Sequence, residues 1–235
     1  GYSTFAFHAF EKIYWNREFM FPRLGFDAYF SQDAFRQDEM INLGLSDESF
    51  YRQSVEILAR HPEPFYAQMI SLTSHHPYKL PSVHHVLALP EDVPEYVRDY
   101  IHSVHYADKA LGTLLRVLEE KGYRERTVLV VYGDHAGISD VHYKEVLKLK
   151  GRQLAVDEQF AKMVLQTIPL IIHVPNAPMQ GTIEQVGGQV DILPTLSTIM
   201  GLKGQGIFMG QDLFEEPRRP VLPSARFPLG SFADE

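Results

Sequence analysis

The sequence predicts an α/β protein, an α/β/α sandwich built on a mainly parallel sheet. Three observations carry that prediction. Thr127-Val-Leu-Val-Val-Tyr132 is apolar on both faces, as a strand covered on both sides must be. A second such run, Phe65 to Leu72, is separated from it by a long amphipathic stretch, 92–120. The order strand, helix, strand is the crossover that joins parallel neighbours, so strands 2–7, 65–72 and 127–132 are expected in one sheet.

Composition sets the outer limits. The chain has 235 residues, 45% of them hydrophobic, enough for one sizeable core. Its net charge of −8, without a Lys/Arg block, argues against nucleic acid as the main partner. Cysteine is absent, which removes disulfides, thiolate nucleophiles and Cys-ligated zinc from consideration. No window approaches the roughly 18 apolar residues of a membrane span. The opening Gly-Tyr-Ser-Thr-Phe-Ala-Phe reads as a strand met in mid-protein, so targeting segments are expected upstream.

The first strand, 2–7, delivers His8 at its carboxyl end. Ile13-Tyr-Trp-Asn-Arg17 follows, with the only Trp of the chain two residues from an Arg. The indole offers a flat face and one donor; the guanidinium offers a planar fork suited to phosphate or sulfate. Residues 19–35 hold Pro22 and Gly25 as breakers and read as an aromatic-rich loop over the sheet. Ser46-Asp-Glu starts a helix to about Arg60, with Phe50, Ser54, Ile57 and Leu58 on one face. The strand 65–72 runs into Thr73-Ser-His-His-Pro-Tyr78, where His76 is held extended before proline and His75 is freer to turn into a crevice.

Residues 79–90 read as an irregular excursion. The helix 92–120 shows a stripe of Val97, Ile101, Val104, Leu111, Leu114 and Leu118, and Lys121-Gly122 closes it. His102, His105 and Asp108 have metal-like spacing, but packing already explains that helix. After the central strand, Gly133 breaks the run and Asp134-His135 follows at once. Short helical pieces are expected near 141–150 and 158–163. A strand 168–174 begins near Pro169, and a capped helix spans 191–201. A last strand is expected near Val221. With no repeat and no linker, one domain is expected.

Three strands thus deliver His8, His75 and Asp134-His135 at their carboxyl ends, where sites of open α/β sheets lie. Alone, each fits an ordinary turn or surface histidine. Together, with Arg17, they fit a metal-assisted site for a tetrahedral oxyanion. No residue stands out as an activated nucleophile.

At this point the residues carry a resemblance. Gly133-Asp-His-Ala-Gly-Ile-Ser139, after a buried strand, resembles the alkaline phosphatase superfamily, and more narrowly the lipoteichoic acid synthase branch of the sulfatase-like family. The resemblance extends to His8 with Trp15-Asn-Arg17, Ser74-His75-His-Pro-Tyr78, Ser103-Val-His-Tyr-Ala-Asp108 with Lys109-Ala-Leu-Gly112, and Val190-Asp-Ile-Leu-Pro-Thr195.

It implies an alkaline phosphatase-like fold and a phosphoglycerol transferase. Such an enzyme moves glycerophosphate from phosphatidylglycerol to a cell-envelope polymer, at the outer face of a bacterial membrane. It implies a divalent metal, Mn²⁺ first with Zn²⁺ and Mg²⁺ as alternatives, held in part by Asp134 and His135. It implies that His8, Trp15, Arg17 and His75 hold the glycerophosphate. The family's Glu ligand and Thr nucleophile would precede Gly1. Residues 1–235 are therefore expected to be the carboxyl-terminal portion of a catalytic domain, inactive alone, whose amino-terminal part and membrane anchor lie upstream. Two rival readings are a sulfatase or phosphodiesterase of the same superfamily and a non-catalytic anion- or glycan-binding module.

Overall fold

The computed structural model describes residues 1–138, 142–149, 165–178, 180–202 and 208–216. The pieces expected at 158–163 and near Val221 lie outside them. Two compact units are distinguished, Gly1–Asn176 and Ala177–Glu235. The candidate site residues all belong to the first.

That unit is built on a three-stranded parallel sheet of β1 (Ser3–His8), β2 (Ala28–Phe30) and β5 (Phe65–Ile70), in the order β2-β1-β5. Its register sets Ala6 beside Tyr29 and Gln68, and His8 beside Ile70. Alternation then sends Phe5 and Phe7 to one face, and Ala6 and His8 to the other. On the Phe7 face lies α2 (Asp47–Leu58), whose Phe50 and Leu58 complete an apolar cluster with Phe5, Phe7 and Leu45. On the opposite face Phe21 of α1 (Arg17–Arg23) packs its ring 4.9 Å from Tyr29. Helices on both faces make the expected sandwich.

The segment read as loop, 19–35, thus contains a helix and a strand. Pro22 does not prevent the helix because α1 has only seven residues, and the lost N–H affects its last turn. Between β2 and α2 runs a small hairpin of β3 (Met40–Ile41) and β4 (Gly44–Leu45). The start of α2 is capped as its sequence demands, the Ser46 hydroxyl accepting the Ser49 N–H at 3.2 Å. Ser46→Ala is expected to lower stability by about 1 kcal/mol, read as a shift in the urea midpoint with an unchanged m-value.

The long helix, α3 (Glu95–Glu120), differs from the single stripe expected. Val97 and Ile101 pack against Val93, Ile138 and α4 (Tyr143–Leu149). Leu111, Leu114 and Leu118 pack elsewhere, with Val55 of α2 and Phe65 of β5. Val104, between the two sets, is 43% exposed. The helix also buries a face that the apolar pattern did not mark, through His102, Ser103, Tyr106, Ala110 and Thr113. His102 stacks on His85 at 4.5 Å, and among the described residues no group of three metal-ligating side chains forms.

The strand at 127–132 is β6 (Leu129–Tyr132), and it does not join the sheet of β1 and β5. It pairs antiparallel with β7 (Leu170–His173), which begins directly after Pro169. Leu129 nevertheless packs into the same α3 cluster as Phe65 and Met69 of β5. Among the described residues, nothing pairs with β5 on the side away from β1, or with β6 on the side away from β7. No residue of either strand is fully buried. Their apolar sequences are those of interior strands, yet each ends a sheet. In the second unit, α5 (Ile192–Ile199) ends at Gly201 in a left-handed conformation, as expected of its sequence.

Candidate active site

His8 closes β1 on the face that α1 covers. It is 3% exposed, and its Nδ1 lies 3.0 Å from the Ile70 carbonyl. A carbonyl only accepts, so Nδ1 carries the proton and Nε2 the lone pair. Burial lowers its pKa to about 4; Arg17 and His75 push it the same way, against the Ile70 bond and the Asp134 carboxylate. At neutral pH His8 is an uncharged acceptor.

Arg17 follows two residues in left-handed conformation, Trp15 (φ 54°) and Asn16 (φ 57°), which reverse the chain before α1. That places a cation at the first position of a helix, where the dipole disfavours it. Its Nη1 is buried without a hydrogen-bond partner. Burial pulls the guanidinium below its ordinary pKa, while Tyr29, Asp134 and Tyr14 act in the opposite direction. A buried donor of a charged group without a partner is costly, and an oxyanion is the partner that would satisfy it. Trp15 is 74% exposed; its ring meets that of Tyr14 edge-on at 6.0 Å, and among the described residues no ring contact joins it to the histidines.

His75 leaves the loop after β5 exposed, with Nδ1 2.7 Å from the His76 carbonyl. Its ring centroid is 6.4 Å from that of His135, nearly perpendicular. His135 repeats the arrangement, Nδ1 2.9 Å from the Ala136 carbonyl, and its Nε2 lies 3.7 Å from Asp134 Oδ1. His8, His75 and His135 thus share one tautomer, each presenting Nε2. The Asp134-His135 turn is tied to the His75 loop by Tyr78, whose hydroxyl donates to the Gly137 carbonyl. Gly137 is needed there, because a Cβ would stand 2.4 Å from the Tyr100 ring.

A carboxylate oxygen and an imidazole Nε2 oriented by a backbone carbonyl suit a divalent ion. They are two donors, and among the described residues no third completes a cluster. The donor set fits part of a metal site. The structure therefore brings His8, Arg17, His75, Asp134 and His135 into mutual influence and leaves Trp15 apart. Tyr78 and Gly137 stood within the quoted motifs, but the bond that joins them across 59 positions did not show there, and Tyr29, which acts on Arg17 12 positions away, carried no signal in the sequence.

A family model described as Sulfatase matches residues 1–202. The lipoteichoic acid synthase-like protein YvgJ of Bacillus subtilis is 33% identical over 224 residues, 93% of this chain and 36% of that protein. The lipoteichoic acid synthase of Staphylococcus saprophyticus is 30% identical, over 95% of this chain and 34% of its own length. The crystal structure of the lipoteichoic acid synthase LtaP from Listeria monocytogenes superposes with a TM-score of 0.87 at 32% identity, covering 99% of this chain and 58% of that one. The chain thus spans about a third of the length of these curated relatives.

Proposed function

The chain belongs to the sulfatase family, and from that premise we propose that it is the carboxyl-terminal portion of the catalytic domain of a phosphoglycerol transferase of the lipoteichoic acid synthase type. The observation that carries this reading is the buried, partnerless Arg17 nitrogen beside His8, His75 and Asp134. Such a set recognises a tetrahedral oxyanion carrying hydroxyl groups. Arg17 takes the phosphoryl oxygens, and His8, neutral and presenting a lone pair, accepts a hydroxyl of the glycerol. His75 closes the opposite side. Trp15, which stands exposed and edge-on to Tyr14 and apart from the histidines, is assigned in this reading to cover the ligand from outside.

Asp134 and His135 would hold a divalent ion, Mn²⁺ in this reading, which when bound neutralises charge on the phosphoryl group. Its other ligands and the Thr nucleophile are assigned to residues preceding Gly1. Two facts support that assignment: the chain matches about a third of its relatives, and among the described residues β5 and β6 leave unpaired edges over one helix. The donor is phosphatidylglycerol, the acceptor a cell-envelope polymer, and the place the outer face of the membrane.

The test compares residues 1–235 with a longer ectodomain of the parent protein, each incubated with Mn²⁺ and a phosphatidylglycerol analogue. The longer form is expected to release diacylglycerol, to lose that activity in EDTA, and the shorter form to release none. Comparable metal-dependent release by the shorter form would place the catalytic centre elsewhere. Turnover of an aryl sulfate in place of the lipid would assign sulfatase chemistry.

A further inference from the structure

Beyond the residues facing the oxyanion, the chain carries a buried carboxylate that the chemistry above does not use. Asp47 is 1% exposed. Its Oδ1 accepts the N–H groups of Leu72 at 2.8 Å and Thr73 at 3.1 Å, and its own N–H donates to Thr73 Oγ1 at 3.0 Å. Burial raises its carboxyl pKa, and Oδ2 has no partner. An enclosed carboxylate costs stability relative to an apolar residue of its volume, so its presence calls for a reason.

The reason lies where β5 ends. Ile70 is the last residue paired with β1, so beyond it the chain has left the ladder. Asp47 supplies a side-chain acceptor to two of the next N–H groups and continues the hydrogen bonding for one more turn. The Leu72 carbonyl then accepts from the His75 N–H at 3.0 Å, which closes the turn. Asn42, left-handed at φ 57°, donates from Nδ2 to the His75 carbonyl at 2.6 Å. Between these two residues Gly44 passes so closely that a Cβ would stand 2.8 Å from both the Ala9 carbonyl and the Leu72 side chain. The segment 42–47 therefore touches the chain just after His8 and just before His75.

We propose that Asp47, aided by Asn42, is a positioning residue for His75: it fixes the direction in which the chain leaves β5 and so sets the His75 imidazole against His135. This rests on the reading of His75 as part of the anion site. Asp47 touches neither ligand nor metal; it acts through the backbone of Leu72 and Thr73. Asparagine keeps the accepting oxygen at the same place, so Asp47→Asn retains the device, whereas Asp47→Ala removes the acceptor of both N–H groups. Asn42→Gly keeps the left-handed backbone and deletes the side-chain amide that donates to the His75 carbonyl and, at 3.5 Å, to the Thr73 carbonyl.

The experiment uses residues 1–235, labelled for NMR, with the His102 ring on α3 as internal reference. In Asp47→Ala the amides of Leu72 and Thr73 are expected to exchange at least about tenfold faster, the size of one lost hydrogen bond. The His75 ring signals are expected to move while those of His102 stay. Asn42→Gly should move the same His75 signals, and Asp47→Asn should leave them in place. Binding of sn-glycerol phosphate should weaken about tenfold in Asp47→Ala and recover in Asp47→Asn. A folded Asp47→Ala chain with unmoved His75 signals would overturn the proposal. Should that variant fail to fold, unmoved signals in Asn42→Gly would do so. If the unsubstituted chain binds no glycerol phosphate, the transferase reading fails, and the ring signals still decide the role of Asp47.

Discussion

Replacing Arg17 by alanine is expected to weaken sn-glycerol phosphate binding by at least about 100-fold while leaving the fold intact. The Nη1 donor is buried and meets no protein acceptor, so the bare site already bears the cost of an uncompensated charged group. The ligand relieves that cost with a charge-assisted hydrogen bond. Truncating one member of a desolvated charge pair typically costs about 2–5 kcal/mol, roughly 30- to 5,000-fold in affinity. Because no protein acceptor is lost with Nη1, stability should not fall by more than about 0.5 kcal/mol, and relief of the unpaired donor acts to raise it. Arg17→Lys keeps a charge but not the planar fork and should recover only part of the affinity. Calorimetric titration beside a thermal melt reads both quantities. An alanine variant binding within about threefold of the parent, under 1 kcal/mol, would remove Arg17 from the site.

Acid should destabilise the protein through His8. Burial holds its pKa near 4, against 6.5 for a free imidazole. Between those values the unfolded chain binds a proton that the folded chain refuses, so stability rises with pH across that window. It is complete above about pH 6.5 and lost progressively as pH falls toward 4, by at most about 3 kcal/mol. Asp47 works in the other direction, because its raised carboxyl pKa favours the folded state as pH falls toward the ordinary carboxylate range. The comparison with His8→Gln isolates the histidine. Urea unfolding at pH 7 and pH 4.5 should show a large fall for the parent chain and a clearly smaller one for the variant. Equal falls would mean that His8 titrates freely.

How far the sequence could be read depended on whether each residue's role was local. The strands 3–8 and 65–70 and the caps at Ser46, Gly122 and Gly201 follow from short runs of side chains, and the structure forms them where expected. His8, His75 and Asp134-His135 were visible because they follow such runs directly. What was missed is long-range. Asp47 read as an acid favouring a helix start, since its bonds to Leu72 and Thr73 cross 25 and 26 positions. Periodicity marked Val104 as buried, but two different neighbours cover α3 on either side of it. The placement of β6 beside β7 rather than β5 was equally beyond a local pattern, since an apolar run does not state which strand will be its partner.

Among the described residues β5 and β6 each have one bare flank, which bears on how the polypeptide behaves at high concentration. A strand with unanswered N–H and C=O groups is a template for any extended peptide, including another copy of itself. Native proteins blunt such borders with lysine, proline or a bulge. Phe65-Tyr-Ala-Gln-Met-Ile70 and Leu129-Val-Val-Tyr132 contain none of these, and Tyr66 stands 52% exposed in the first. Copies meeting edge to edge would extend one another's sheets, and each added strand would present a fresh border. Covering those two borders would remove one route to self-association, which the −8 charge of the chain opposes.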